Sequence, residues 1–135
     1  MEKVKVMIVE DDPMVTYIHK ALLVKRDLCY DPLNFMNGVE ALDFILDDSK
    51  KDKKALYLIL LDINMPLMNG WEFLEAIQDC EVANRTEVII VTSSPDPKDR
   101  CKAEELNLVT GYIEKPLINF DLVKKAKQHL EQRIE

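Results

Sequence analysis

Four short apolar runs punctuate the chain, and each ends on a polar, chemically capable residue. Val4-Lys5-Val6-Met7-Ile8-Val9 leads into Glu10-Asp11-Asp12, and Leu56-Tyr57-Leu58-Ile59-Leu60-Leu61 leads into Asp62. Val88-Ile89-Ile90-Val91 leads into Thr92-Ser93-Ser94, and Tyr112-Ile113 into Glu114-Lys115-Pro116. Short β-branched runs separated by helix-length segments read as parallel strands buried on both faces. The pattern predicts strands over 4–10, 56–61, 87–91 and about 109–114. A fifth, less regular strand falls within 31–36, where Pro32 interrupts the alternation.

The intervening segments carry helical spacing. The first helix begins near Asp12-Pro13, since proline is tolerated in a first turn, and continues through Val15, Ile18, Leu22 and Leu23. The second follows Asn37-Gly38 and uses Val39, Leu42, Phe44, Ile45 and Leu46. The charged run from Asp47 to Lys54 then reads as a solvated connector. Met65 to Gly70 is a loop, and a third helix runs from Trp71 to about Asp79. A fourth starts after Pro95-Asp96-Pro97 and reaches about Glu105. The fifth starts at the capping residue Asn119 and places Phe120, Val123, Leu130 and Ile134 on one face.

The order is a strand followed by a helix, five times. Right-handed crossovers turn this into a doubly wound α/β sheet with helices on both faces. The expected fold is flavodoxin-like: five parallel strands in the order 2-1-3-4-5, with five helices. Ligands bind such sheets beyond the carboxyl ends of the strands, at the switch point between strands 1 and 3. That topology brings Glu10, Asp11 and Asp62 to one edge, with Thr92 and Lys115 beside them.

Carboxylates gathered this closely repel one another unless a cation sits among them. Mg²⁺ suits the set, because it takes few protein carboxylates, keeps waters and bridges to phosphate oxygens. A carboxylate can also attack phosphorus and form an acyl phosphate. Asp62 is the candidate nucleophile, since it stands alone at the end of a buried strand. Lys115 offers a point charge to Asp62 or to a phosphoryl oxygen, and Thr92 offers a hydroxyl to another; phosphoryl transfer depends mainly on positioning and charge stabilisation.

Composition narrows the alternatives. A chain of 135 residues, 47 % hydrophobic and 32 % charged, suits one ordinary globular domain over residues 1–135. A net charge of −7 disfavours nonspecific nucleic-acid binding. No apolar stretch approaches the ~20 residues that span a bilayer, and the chain enters a strand at once, so neither a membrane segment nor a signal peptide is expected. Cys29, Cys80 and Cys101 are scattered and lack the spacing of a zinc site, which fits a reducing cytoplasm. No linker or further domain is expected after the fifth helix.

The four strand-end motifs, Val9-Glu10-Asp11-Asp12, Leu61-Asp62-Ile63-Asn64-Met65-Pro66, Val91-Thr92-Ser93-Ser94 and Tyr112-Ile113-Glu114-Lys115-Pro116, occur in order and together. In this the chain resembles the receiver domain of two-component response regulators, from the first strand to the fifth helix. The resemblance implies a stand-alone, chemotaxis-regulator-like signalling protein of a phosphorelay. It would take a phosphoryl group onto Asp62 from a histidine kinase or phosphotransfer protein, with Mg²⁺ as cofactor. It would catalyse only its own phosphorylation and dephosphorylation, and signal to an unidentified protein target. Asp11 would bind Mg²⁺ directly and Glu10 through water, with Asp62 and the Asn64 backbone carbonyl completing the protein ligands. Thr92 and Lys115 would sense the phosphoryl group, and Tyr112 would be the switch aromatic, its ring moving from an outward to a buried position. The Lys115–Pro116 peptide would be cis, and any self-association would be a weak dimer through the face of helix 4, strand 5 and helix 5.

Other readings fit less well. A phosphatase of the haloacid-dehalogenase type also uses a strand-end aspartate with Mg²⁺, but wants a second acid two residues on, where this chain has Asn64. A nucleotide-binding flavodoxin-like protein wants a glycine-rich loop after the first strand, yet the glycines are only Gly38, Gly70 and Gly111. A receiver serving as a phosphorylation-independent scaffold would not need the complete residue set. Asp12 reads as a helix-start residue, Asn69 as a turn residue, Met65 and Met68 as loop packing, Trp71 as packing, and His19 and His129 as ordinary surface histidines.

Overall fold

Parallel pairing accounts for most of the architecture, with one register shift, between Val88 and Ile89, where the last two strands meet. The computed structural model describes residues 4–115 and 119–133. Its strands are β1 (Val4–Val9), β2 (Leu33–Phe35), β3 (Leu56–Leu61), β4 (Thr86–Thr92) and β5 (Val109–Glu114), and its helices α1 (Pro13–Lys25), α2 (Gly38–Lys51), α3 (Gly70–Ile77), α4 (Pro97–Glu104) and α5 (Phe120–Gln132). The sheet order is β2-β1-β3-β4-β5, all parallel, the flavodoxin-like order expected from the sequence. β3 is buried along its whole length, and its side chains alternate between two cores. Tyr57, Ile59 and Leu61 face α2, α3 and α4, while Leu56, Leu58 and Leu60 face α1 and α5. β2 is the shortest strand: Pro32 directly precedes it, and it sits at the sheet edge, where a missing N–H is tolerated.

Two expectations about the helices need correction. The run 47–51 is helical, not a connector, because α2 continues to Lys51. Asp48 is held by Lys5 at 2.7 Å and by the Tyr57 hydroxyl at 2.6 Å, and Asp47 pairs with Lys51 one turn on at 3.0 Å. Arg85 then closes the helix end, donating to the Ser49, Asp52 and Ala55 carbonyls. Lys5 and Arg85 lie 30 to 43 residues from the groups they hold, and so leave no local signal. Arg85 itself belongs to a short 3-10 turn, Glu81–Arg85, that the sequence pattern did not foretell.

The second correction concerns α1. Asp12 caps it by accepting the Met14 N–H, as expected of a helix-start residue. The buried face, however, is Thr16, His19 and Leu23, whereas Ile18 is 43 % exposed, along with Met14, Tyr17 and Val24. The apolar stripe is rotated by one residue, about 100°, from the face that meets the sheet. His19 is therefore not a surface residue but is 3 % exposed. His129 is an exposed side chain, yet its Nδ1 meets the buried carboxylate of Glu87, which Arg133 also contacts at 3.2 Å. This polar pair ties α5 to β4.

Asn119 caps α5, accepting the Leu122 N–H at 3.1 Å, whereas Ile134 lies outside the described residues. Met65 is buried and Met68 and Trp71 pack at the core edge, as loop and helix packing residues should. Asn69 does more than turn the chain, forming a reciprocal capping box with Glu72 at the start of α3.

The loop after β3 is clamped by close backbone approach. A methyl group on Gly70 would lie 2.7 Å from the Asp62 carbonyl oxygen and 2.9 Å from the Ile63 Cα. The Gly70 N–H also donates to the Ile63 carbonyl at 2.8 Å. Gly70→Ala must push this backbone apart, and an over-packed site of this kind costs about 1–3 kcal/mol. Thermal unfolding of the variant should show a clearly lowered midpoint; an unchanged midpoint would mean that the loop yields freely.

Candidate functional site

Register places the acidic residues. Val9 of β1 lies opposite Leu61 of β3, so the next residue on each strand, Glu10 and Asp62, leaves the sheet at the same level. The Asp62 N–H donates to the Val9 carbonyl at 3.0 Å and the Glu10 N–H to the Phe35 carbonyl at 2.9 Å. Carboxylate oxygens of Glu10, Asp11 and Asp62 lie within 4.8 Å of one another. Glu10 and Asp62 are buried, and Asp11 is half-buried at the rim.

Lys115 completes the cluster from β5. The Lys115 backbone N–H donates to the Thr92 carbonyl at 2.8 Å, which continues the β4–β5 ladder past Glu114. Its ammonium lies 2.6 Å from the Glu10 carboxylate and 3.4 Å from that of Asp62. The reach to Asp62 was legible in the sequence; the shorter contact to Glu10 was not. The second Glu10 oxygen accepts the Asp12 N–H at 3.1 Å. Asn64 is exposed, and its N–H points back to the Asp62 carboxylate at 3.4 Å. Pro116, and with it the geometry of the Lys115–Pro116 peptide, lies outside the described residues.

Thr92 closes β4 and is fully buried, its Oγ accepting the Ser94 N–H at 3.2 Å. Tyr112 is already half-buried in this state, rather than outward. The Arg100 guanidinium lies over its ring at 4.6 Å, and its enclosed hydroxyl has no hydrogen-bond partner among the described residues. Leaving a buried hydroxyl unpaired costs about 1–3 kcal/mol.

Burial dominates the electrostatics of the cluster. It raises the Glu10 carboxyl to about 7; Lys115 pulls the other way, and the Asp62 charge adds to the rise. Burial also lowers His19 to about 4, helped by the Lys115 charge and opposed by Asp62. For Lys115 the order reverses. Burial would lower it, but hydrogen bonding to Glu10 and the Asp62 charge together hold its pKa above the ordinary lysine value. A site with one ammonium against three carboxylates is short of positive charge. An all-oxygen donor set with an open, exposed side fits Mg²⁺, a hard cation that keeps several of its waters.

Comparison with known proteins agrees with this arrangement. The model of the family described as "Response regulator receiver domain" matches residues 6–127. The chain is 31 % identical to the transcriptional regulatory protein CpxR of Escherichia coli K12, covering 95 % of this chain and 50 % of CpxR. It is 30 % identical to hybrid signal transduction histidine kinase B of Dictyostelium discoideum, covering 93 % of this chain and 7 % of that protein. The chain thus spans half or less of these curated relatives. Among solved structures, a two-component response regulator from Cytophaga hutchinsonii superposes with a TM-score of 0.79 at 25 % identity, covering 99 % of this chain and 98 % of that one. A CheY-like receiver domain protein from Methanospirillum hungatei JF-1 superposes with a TM-score of 0.69 at 30 % identity, covering 97 % of each chain. The chain belongs to the receiver domain family of two-component response regulators. Members of this family are phosphorylated on aspartate in a Mg²⁺-dependent manner and act as signalling modules, which interact with histidine kinases or phosphotransfer proteins.

The two perturbed groups pull stability in opposite directions with pH. Glu10 binds its proton more tightly in the fold, so its contribution is full below about 4.5 and is lost as pH rises through about 7. His19 is held neutral in the fold, so stability is lost as pH falls from about 6.5 towards about 4. In metal-free buffer, Glu10→Gln should therefore make stability rise more steeply between about pH 5 and about pH 7 than in wild type, and His19→Gln should make it fall. Urea unfolding at the two pH values reads both slopes. Parallel profiles for all three proteins would show that neither group senses its burial.

Proposed function

We propose that this chain is a single-domain response regulator that receives a phosphoryl group on Asp62 and signals through protein contacts. The observation that carries this reading is the Asp62 carboxylate itself. It is buried at the end of a rigid central strand, grouped with Glu10 and Asp11 and touched by the Lys115 ammonium. Glu10, Asp11, Asp62 and the Asn64 carbonyl would hold Mg²⁺, which supplies charge to the phosphoryl oxygens when bound. An Asp62 oxygen attacks phosphorus, the bond from phosphorus to the donor breaks, and its electron pair leaves with the donor. Lys115, released from Glu10 when the acids have a second cation, pairs with one phosphoryl oxygen. The Thr92 hydroxyl donates to another, and Tyr112 responds on the neighbouring strand. Chemistry of this kind limits the protein to catalysing its own phosphorylation and dephosphorylation.

The donor is a histidine kinase or phosphotransfer protein. Met14, Tyr17, Ile18 and Val24 on the solvent side of α1 support a protein donor, because this apolar stripe starts beside Asp11 and Asp12. The output is a change in the face of α4, β5 and α5, read by a downstream protein, with the chain a monomer or a weak dimer through that face. The scattered cysteines Cys29, Cys80 and Cys101 suit a reducing cytoplasm, and no helix among the described residues is long and apolar enough to cross a membrane.

Incubation with Mg²⁺ and acetyl phosphate should add one phosphoryl group, labile to base and to hydroxylamine, as detected by intact-mass spectrometry. Asp62→Asn should abolish the adduct, since an amide is a poor nucleophile, and equal labelling of that variant would displace Asp62 as the acceptor. Asp11→Ala should weaken both Mg²⁺ binding and labelling, yet raise the melting temperature of the metal-free protein by relieving repulsion. A marked fall in that melting temperature would make Asp11 structural instead.

A further inference from the structure

α4 is attached to the body of the protein in an unusual way. Only Ala103 of its eight residues is buried, so apolar packing holds it at a single small side chain. Three further contacts of the helix and its first turn are polar or cation–π. Ser94 donates to the Asp99 carboxylate at 2.5 Å, Arg100 lies over the Tyr112 ring, and Lys102 lies over Trp71 at 4.6 Å. Few buried apolar contacts mark a segment that shifts at little cost.

Ser94 is shared between the site and the helix. Its backbone N–H bonds the Thr92 hydroxyl oxygen, while its side chain bonds Asp99 in the first turn of α4. Next to Asp99 in sequence, Arg100 covers the Tyr112 ring, and the buried Tyr112 hydroxyl has no hydrogen-bond partner among the described residues. After burial itself, Asp99 is the largest electrostatic influence on that hydroxyl, ahead of Arg100, Glu114 and Asp96. A donor without an acceptor therefore sits near a carboxylate that is engaged elsewhere.

We propose that Asp99 is a positioning residue with two alternative partners, Ser94 in the resting chain and the Tyr112 hydroxyl once Thr92 turns towards a phosphoryl group on Asp62. The proposal rests on the assignment of Asp62 and Thr92 made above. When the Thr92 hydroxyl turns to donate to a phosphoryl oxygen, the geometry of the Ser94 N–H contact is lost and the β4–α4 loop shifts. Ser94 then releases Asp99, which takes the Tyr112 O–H as its new donor. The exchange satisfies the orphan hydroxyl and moves the first turn of α4, with Arg100, along the surface. A small local displacement thus selects between two discrete arrangements of one thinly attached helix.

Amide and tyrosine spectra of the full chain, measured by NMR with and without beryllofluoride and Mg²⁺, test the exchange. In wild type the mimic should shift the amides of 62–64 and those of 97–104, together with the resonances of Tyr112. Ser94→Ala, with no mimic added, should already displace 97–104 and Tyr112 towards their mimic-bound positions, because Asp99 is free. Asp99→Ala should keep the shifts at 62–64 but lose most of those at α4, and Asp99→Asn, still an acceptor, should restore them. Tyr112→Phe keeps the Ser94–Asp99 bond, so it should hold the resting α4 spectrum and lose the response there. Resting α4 positions in Ser94→Ala, or a full α4 response in Asp99→Ala or Tyr112→Phe, would overturn the exchange while leaving Asp62 as the acceptor. No shift at 62–64 in wild type would overturn the reading of the site and the exchange with it.

Discussion

Three carboxylates meet because β1 and β3 pair in register, and the rest of the site answers the repulsion that this creates. Val9 opposite Leu61 leaves Glu10 and Asp62 side by side, with Asp11 one residue further out. Neither buried acid can turn to water, since each emerges from a strand sealed between two cores. The ammonium of Lys115 answers part of the charge from β5, and a raised proton affinity at Glu10 answers another part. Both responses are provisional. An ammonium shared between two carboxylates can be drawn to a new anion, and a carboxyl that titrates near neutrality gives up its proton to a cation. The sheet register therefore fixes a site short of positive charge, which suits the metal and phosphoryl group proposed for it.

Most of this arrangement was legible in the sequence because it depends on strand ends. Apolar runs 56–61 and 87–91 read as buried strands, and the residue following a run is a direct pointer to the sheet edge. The alternation of elements and the handedness of crossovers narrow the strand order to a few doubly wound possibilities, of which the flavodoxin-like one is observed. Asp62, Asp11 and Glu10 thus point from the sequence alone to one edge of the sheet. Gly70 and Asn69 could be read only as turn residues, although one permits the close approach to Asp62 and the other caps α3 with Glu72.

What escaped the sequence depends on partners far along the chain. The charged end of α2 looks like a loop by composition, yet Lys5, Tyr57 and Arg85 hold it helical. The face of α1 was misjudged because apolar periodicity marks a stripe without saying which side meets the protein. Here the helix is turned by about one residue, so that Leu23 is buried, Val15 and Leu22 are half-buried and Ile18 is exposed, and His19 lies beneath the helix close enough to the site to feel Lys115 and Asp62. Glu87 makes the same point on β4: an acid inside an apolar run is a core residue only because His129 and Arg133 come to meet it. In each case tertiary contact overrides a local preference, as it commonly does where polar groups are buried.

These polar contacts also divide the helices by how firmly they are held. α3 enters the core with Phe73, Leu74 and Ile77, and α5 with Val123, Ala126 and Leu130. α4 contributes Ala103 alone. Apolar burial is non-directional and roughly proportional to area, so it holds a helix firmly without favouring one of two nearby positions. Hydrogen bonds and cation–π contacts are directional and exchangeable, and they distinguish between positions at small cost. Under the proposed function, turning one new anion at Asp62 into a changed surface needs a firmly held scaffold and one element whose contacts can be exchanged. The buried strands and α3 and α5 provide the first. α4, held by Ser94, Tyr112 and Trp71 through polar and cation–π contacts, provides the second.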